Sequence, residues 1–160
     1  MNPEKIINTL RKDKSKSLKR RRKLAILSSI ALFDFTIISL FQLGVIRHLP
    51  DVPGKLFDSD SVNSSPKAYA LGFPDGPLSA LIYAAILILL GYKGDKKSGR
   101  PGWANWALFL LVTGHAAGAA DYLKDMIRQK KICPYCLVGT IINFASLPLA
   151  YGEIRKDCNC

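Results

Sequence analysis

The chain has 160 residues, of which 49% are hydrophobic, yet its formal net charge is +11 at pH 7. These values are compatible only if apolar and basic residues are segregated along the sequence. Ten of the 23 lysines and arginines precede Leu24, most densely in residues 19–23, and four apolar runs occupy much of the remainder. A basic block directly before an apolar run is more typical of a cytoplasmic membrane flank than of a nucleic-acid surface, so we expect no nucleic-acid partner.

The first apolar run, Leu24 to Ile46, is interrupted only by Asp34 and Gln42, and it is long enough to cross a bilayer. It exceeds the apolar core of a signal peptide and no small-residue cleavage site follows, so we interpret it as a retained helix. Three further runs follow, at residues 77–92, 103–122 and 132–152. None has the polar alternation of a barrel strand. The sequence therefore predicts an all-α, four-helix transmembrane bundle.

These runs divide the chain into three regions. We expect residues 1–23 to form a basic cytoplasmic tail, residues 24–152 a four-span membrane domain, and residues 153–160 a cytoplasmic carboxyl-terminal tail. Within the first tail, residues 1–18 are expected to be weakly amphipathic or disordered. No water-soluble region large enough to fold alone is evident in the sequence.

The distribution of lysine and arginine predicts the orientation in the membrane. The side that would hold both termini and the 93–102 loop carries sixteen of these residues, and the opposite side carries seven. Both termini are therefore expected in the cytoplasm, although the basic stretch 124–131 weakly opposes this assignment. Residues 48–75 and the start of the fourth run would then lie outside. We expect a multi-pass protein of a bacterial cytoplasmic (inner) membrane, with this face on the oxidising side.

Cys133 and Cys136 frame a Cys-Pro-Tyr-Cys sequence at the start of the fourth run. Two thiols at this spacing can close into a disulfide, the free N–H groups of a helix start favour a thiolate, and Pro134 suits the first helical position. The arrangement predicts a redox-active pair. A lipid-soluble quinone is a suitable electron acceptor for a dithiol open to lipid, and we expect a thiolate of Cys136 to react with it.

The cysteines have two other interpretations, of which only the first remains open. In one, the pair is inert, because free cysteine packs as a small hydrophobe. In the other, all four cysteines bind zinc, but the fourth span would separate Cys133 and Cys136 from Cys158 and Cys160 by about 30 Å of hydrocarbon. We therefore expect no metal site within one chain. The terminal pair is interpreted as surface thiols, a lipid attachment site or a weak metal site between chains.

Two further motifs precede the second run, a Ser-Ser-Pro sequence at residues 64–66 and Leu-Gly-Phe-Pro at residues 71–74. With the four-span pattern and the cysteine motif, they resemble the vitamin K epoxide reductase family, particularly bacterial members that couple disulfide formation to quinone reduction. The similarity covers about residues 24–152. It implies that a quinone is the electron acceptor, that Cys136 faces it, and that Cys133 exchanges with substrate cysteines.

The resemblance also implies a lid over the quinone pocket. The lid residues would be Ser65, Gly72, Phe73 and Pro74.

The sequence departs from the family pattern at two places. Typical members carry a second cysteine pair upstream of the Ser-Ser-Pro sequence, where residues 51–63 here contain none, and some have a tyrosine at the position of Thr140. We therefore expect a separate thiol-containing or thioredoxin-like partner to dock over residues 52–75. The alternatives are a non-enzymatic membrane module that keeps the fold, and a small subunit of a larger complex.

Several uncharged and charged polar residues lie inside the apolar runs. Asp34 and His115 would either form a proton path to the quinone or make ordinary hydrogen bonds between helices. Asn143 lies at a helical distance from Cys136, as does Ser146, so both are candidates to bind the quinone or to join helices. Gly114 and Gly118 form a pair of small residues that predicts a close helix approach.

Overall fold

The computed structural model describes residues 3–92 and 101–157, and these residues are predominantly helical. An isolated bridge between Phe57 and Ile132 is the sole β-type pairing in this part of the chain. The fold is therefore all-α, as predicted. In chain order the elements are α1 Pro3–Lys12, α2 Lys16–Gln42, α3 Ser59–Asn63, a 3₁₀ helix Pro66–Tyr69, α4 Asp75–Gly91, α5 Gly102–Gln129 and α6 Pro134–Asp157. Residues 93–100 of the predicted 93–102 loop, and the terminal cysteines Cys158 and Cys160, lie outside the described residues.

The four long helices form a bundle. α2 packs against α4 and α6, and α5 packs against the same two helices, so the cyclic order is α2, α4, α5, α6. Apolar residues of all four meet in the interior, namely Leu24, Ala31, Tyr83, Ile86, Leu90, Leu108, Val112, Ile142 and Ala150. Other large apolar side chains point outward, including Phe33, Ile88, Leu110 and Ile141. An apolar outer surface of this kind is typical of a bundle surrounded by lipid.

Among the described residues, two helices are long and apolar enough to cross a membrane by their length and composition, Lys16–Gln42 and Pro134–Arg155. α4 is a shorter apolar helix of 17 residues. The two candidate spans and the outward-facing apolar side chains indicate a membrane protein. Spanning by α4 and α5 stays a prediction, as does the side on which each terminus lies.

The basic block of residues 19–23 is helical. α2 begins at Lys16, so residues 19–23 lie in its first two turns, and α1 precedes it. Arg20 Nε donates to Glu153 Oε1 at 2.8 Å, and Glu153 is almost fully buried. This ion pair joins the start of α2 to the end of α6, which continues beyond the predicted limit of the fourth span to Asp157.

The segment between α2 and α4, residues 43–74, lies over the start of α6 and is called here the cover segment. Its backbone joins the residue before the dithiol, since Ile132 N donates to Leu56 O at 2.8 Å and Asp58 N donates to Ile132 O at 3.1 Å. The segment ends in a tight turn at Gly72, whose φ of +80° favours glycine. α4 begins directly after this turn.

Candidate functional site

The two thiols lie side by side at the start of α6. Cys133 precedes the first helical residue, and the backbone N–H of Cys136 donates to Cys133 Sγ at 3.1 Å. Both cysteines are free thiols, and Cys133 is completely buried whereas Cys136 is 9% exposed. The start of a helix places its unpaired N–H groups next to the first sulfur, which stabilises a thiolate there.

Asn63 of α3 contacts both sulfur atoms. Its Nδ2 lies 3.3 Å from Cys133 Sγ and 3.7 Å from Cys136 Sγ, and its Oδ1 lies 3.8 Å from Cys136 Sγ. Nδ2 also donates to Ser59 O at 2.9 Å, which holds the amide in place. The hydrogen-bond donors are thus concentrated on Cys133, so its thiolate is the better stabilised of the two.

Polar contacts hold the cover segment over the dithiol. Asp58 forms an ion pair with Lys131, the residue before Ile132, and accepts hydrogen bonds from the amide and hydroxyl of Ser61. The hydrogen bond from Lys131, followed by those from Ser61, lowers the pKa of Asp58 to about 2. Tyr135 Oη donates to Pro50 O at 2.9 Å on the same side. The cover segment is therefore fastened on both sides of Cys133.

A cavity of about 200 Å³ opens beside Cys136, between the helices and the cover segment. Its walls are mainly apolar, with lining residues Phe35, Ile38, Ala68, Leu71, Phe73 and Ala119. Gly118 leaves room on the α5 side, because no atom lies within 4 Å of the position where its Cβ would stand. Cys136 is the cysteine that lines this cavity, while Cys133 lies behind it.

Polar side chains line both ends of the cavity. At the outer end, Lys67 forms an ion pair with Asp121 of α5. Tyr122 also lines this end, and its buried hydroxyl makes no hydrogen bond of normal geometry with the described residues, although the Asp75 carboxyl is nearby. At the inner end, His115 and Asn143 contact each other at 3.1 Å. The cavity is therefore an apolar slot with hydrogen-bonding groups at each end.

The predicted quinone-site residues occupy different places. Phe73 and Asn143 line the cavity together with Cys136, but Ser65, Gly72 and Pro74 are not among its lining residues. Ser65 lies at the start of the 3₁₀ helix and is buried, with no hydrogen-bond partner for its hydroxyl among the described residues. The turn at Gly72 lies directly before Phe73, which lines the cavity. The interpretations of the terminal cysteine pair concern residues that are not described.

Several residues of the site were not predicted from the sequence. Asn63 belongs to no motif, and its role depends on the cover segment folding onto α6. Tyr122 has the appearance of an aromatic residue at a helix end, but α5 continues to Gln129 and places it in the cavity wall. No motif distinguishes Ser79 from the other serines of the chain. The sequence signal for it is that Asp75 and Ser79 are four residues apart, which puts them on the same face of α4.

The model of the Vitamin K epoxide reductase family matches residues 23–151, which include both thiols and every residue that lines the cavity. No curated protein and no solved structure matches the chain.

Proposed function

The chain belongs to the vitamin K epoxide reductase family, and from this membership we propose that it is a quinone-linked thiol-disulfide oxidoreductase. Membership itself indicates a membrane protein with a redox function. The proposed reaction oxidises partner thiols at the outer face through Cys133 and Cys136. A bound quinone would supply an acceptor for two electrons and two protons.

The observation that carries this proposal is the position of Cys136 in the wall of the cavity, with Cys133 in contact behind it. The walls formed by Phe35 and Phe73 suit a flat apolar ring. The hydroxyl of Tyr122, which lies in the cavity wall near the Asp75 carboxyl, can donate a hydrogen bond to a ring oxygen. The residues present therefore fit a quinone.

Each thiol has its own part in the proposed exchange. A partner thiolate attacks the disulfide at Cys133 and forms a mixed disulfide, which releases Cys136 as a thiolate that takes up the proton lost by the partner thiol. The second thiol of the partner then attacks the mixed disulfide, so the partner leaves oxidised and Cys133 leaves as a thiolate. Asn63 and the N–H of Cys136 stabilise that thiolate. The sequence interpretation placed the reactive thiolate on Cys136, whereas these donors favour Cys133 as the leaving group.

Access to Cys133 requires movement of the cover segment. Cys133 has no exposed surface, and Val62 packs against it from α3. A partner that reaches the sulfur must displace residues 56–63 from the start of α6. We propose that a thiol-containing or thioredoxin-like protein docks over residues 52–75 and does so. The assignment of this face to the outside of a bacterial inner membrane rests on the excess of basic residues on the other side.

A non-enzymatic membrane module is the second candidate. The observation that favours it is that the chain has no cysteine before Cys133. A second pair in the cover segment would carry electrons to the dithiol, and without it direct exchange with a partner is the remaining route. In this alternative the cavity binds a ring-shaped lipid and Cys133 does not turn over.

The test uses the mixed disulfide. In Cys136→Ser, the thiolate of Cys133 can still attack the disulfide of an oxidised partner, which is the reverse of the last step above. The mixed disulfide is then trapped, because the Cys136 thiol that would break it by closing onto Cys133 is absent. We expect a reducible adduct on non-reducing gels of native membranes, absent from the Cys133→Ser, Cys136→Ser double variant. In the unaltered protein, added quinone should protect both thiols from alkylation together. If no adduct forms and the quinone changes neither thiol, the non-enzymatic module is the better account.

A further inference from the structure

The inner end of the cavity holds a hydrogen-bonded group contributed by three helices. His115 Nδ1 lies 3.1 Å from Asn143 Oδ1, and its Nε2 lies 3.0 Å from Ser79 Oγ. Tyr83 Oη donates to the same Asn143 oxygen at 2.8 Å. Asn143 is seven residues beyond Cys136 on α6, which places it about 10 Å deeper along the helix. Ser79, His115 and Asn143 all line the cavity.

These partners determine which nitrogen of His115 carries the proton when the ring is neutral. Asn143 Nδ2 donates to Gly139 O at 2.9 Å, so the oxygen of the amide is the atom that faces His115 and Tyr83. An amide oxygen only accepts, and His115 Nδ1 must therefore donate. The neutral ring then has an unprotonated Nε2, which accepts the hydroxyl proton of Ser79.

The protonation of His115 therefore sets the direction of the hydrogen bond that Ser79 can make to a ligand. While Nε2 is unprotonated, Ser79 donates to it and presents only lone pairs to the cavity. A proton on Nε2 reverses the bond, because the ring then donates to Ser79 Oγ and frees the hydroxyl proton. The inner end is an acceptor in the first state and a donor in the second.

Other titratable groups surround the imidazole, and each helix of the bundle contributes. The rings of Phe35 and Tyr83 pack against the imidazole in edge-type contacts, at centroid distances of 5.5 and 4.9 Å. Within the described ranges, the hydrogen bonds of the ring go to Asn143 and Ser79 rather than to another titratable side chain. The remaining titratable groups nearby are Asp34 of α2, Asp75 of α4, Asp121 and Tyr122 of α5, and Cys136 of α6.

Resting on the proposed function, we infer that Ser79 binds the inner oxygen of the ring ligand, and that His115 supplies through Ser79 the proton which this oxygen gains. Two electrons leave the Cys133 thiolate and the Cys136 thiol as their disulfide forms. The Cys136 thiol gives one proton and His115 gives the other. His115 is left as the neutral ring with its proton on Nδ1, and it regains a proton from water after the ligand leaves. Ser79 is the catalytic residue, and His115 is a positioning residue that acts through it.

The first test reads the ring directly. The chain has two histidines, so His48→Gln leaves His115 as the single imidazole. His48 is exposed and its ring bonds to Asp60 at the surface, which makes it a suitable position to change. Nitrogen NMR of the labelled protein in nanodiscs should show the neutral ring protonated on Nδ1. A ring protonated on Nε2 would contradict the inference, because Ser79 could not then donate to it.

The second test measures ligand binding without electron transfer, in the Cys133→Ser, Cys136→Ser background. The probes are duroquinone and its reduced diol. Ser79→Ala should weaken binding of the diol about fivefold, the worth of one hydrogen bond, while Ser79→Thr retains it. Calorimetry in buffers of different ionisation enthalpy should show proton uptake when duroquinone binds and none when the diol binds. His115→Gln should abolish the uptake.

The outcomes separate the relay from the proposed function. If quinone oxidises the dithiol of the unaltered protein but His115→Gln leaves proton uptake unchanged, another group such as Asp75 supplies the proton and the relay is overturned alone. Undiminished binding of the diol in Ser79→Ala would also overturn it. If neither probe binds and the dithiol is not oxidised, the proposed function fails and the relay fails with it.

Discussion

At the scale of single residues, Asn63 links the two thiols of Cys133 and Cys136 to the cover segment that hides them. Its amide contacts both sulfur atoms, while its own backbone belongs to α3 of the cover segment. A charge-assisted hydrogen bond is stronger than a neutral one, so the contact to Cys133 is worth most when that sulfur is a thiolate. Reduction of the pair and closure of the cover segment should therefore support each other.

Asn63→Ala tests this link. Loss of the amide removes a donor worth about 1.5–3 kcal/mol to a charged group, so the pH midpoint for alkylation of Cys133 should rise by roughly one unit or more. The midpoint is the appropriate measurement, because a looser cover would change the rate of alkylation but not its pH midpoint. Ser64→Ala alters the exposed neighbour and should leave the midpoint unchanged. An unchanged midpoint in Asn63→Ala would assign the amide a purely structural role.

The residue scale also shows what the sequence could and could not predict. The Cys133 and Cys136 pair was recognisable because spacing and position at a helix start are local properties. Asn143 was also recognisable, since it lies two turns from Cys136 on the same helix. Asn63 was not, because its contact with the thiols joins positions 70 residues apart and depends on how the cover segment folds. A single sequence holds no record of such a contact.

At the scale of elements, α5 shapes the cavity through its small residues. Gly114 and Gly118 were predicted to allow a close helix approach, and this prediction is wrong, because no neighbouring atom lies within 4 Å of the point where a Cβ would stand on either glycine. The space beside Gly118 belongs to the cavity, whereas Gly114 is not among the lining residues. Small residues in an apolar run indicate room, but they do not say whether a helix or a ligand fills it.

Filling that room should prevent ligand binding. Gly118→Leu places a side chain in the cavity, and we expect binding of duroquinone to fall at least tenfold, as judged by titration in nanodiscs. Gly114→Leu is the matched control, since it makes the same change one turn away and gains about the same 1 kcal/mol of helix propensity. Equal binding by the two variants would show that this cavity is not the quinone site.

The cover segment is an element whose fastening can be tested through Lys131. Lys131→Gln breaks the ion pair with Asp58, a contact worth up to about 1 kcal/mol, so alkylation of Cys133 at high pH should accelerate up to about fivefold. Lys124→Gln changes an exposed lysine of α5 and should have no effect. If the two variants react at the same rate, the ion pair does not limit opening.

The pH dependence of this fastening follows from Asp58. Its pKa is lowered to about 2, below the ordinary value near 3.9, so the ion pair contributes fully above the ordinary value and is lost as pH falls through about 2. Hydrogen exchange of residues 56–63 should therefore show no opening step from Asp58 between about pH 5 and pH 8. An opening step in that range that Asp58→Asn removes would contradict the assignment.

The helix limits show why elements are easier to predict than their ends. Hydropathy marks the part of a helix that suits lipid, and the apolar runs did fall within α2, α4, α5 and α6 over most of their length. The helices themselves extend further, because charged residues are also good helix formers. α2 thus begins at Lys16 in the basic block, and α5 continues through a basic stretch to Gln129.

At the scale of the whole molecule, the basic block and the dithiol lie at opposite ends of the bundle. The start of α2 and the end of α6 meet at the Arg20 and Glu153 ion pair, while the dithiol and the cover segment lie at the other end of α6. Lysine and arginine resist transfer across a membrane, so the end that carries the basic block should remain in the cytoplasm. The dithiol would then face the compartment in which disulfides form.

Cysteine labelling of intact cells tests this orientation. Cys133 is too deeply buried to be labelled, but Ser64 is exposed on the cover segment. Ser64→Cys therefore provides a reporter for the outer side, in a background in which Cys133 and Cys136 are changed to Ser. An impermeant maleimide should label it in intact cells, whereas the native Cys158 and Cys160 should react only after the membrane is opened. The two sites control for each other within one chain. The opposite result, in which the terminal pair is labelled from outside and Ser64→Cys is protected, would show that the topology is inverted. The dithiol would then lie in the reducing cytoplasm, where the glutathione pool opposes net oxidation of partner thiols.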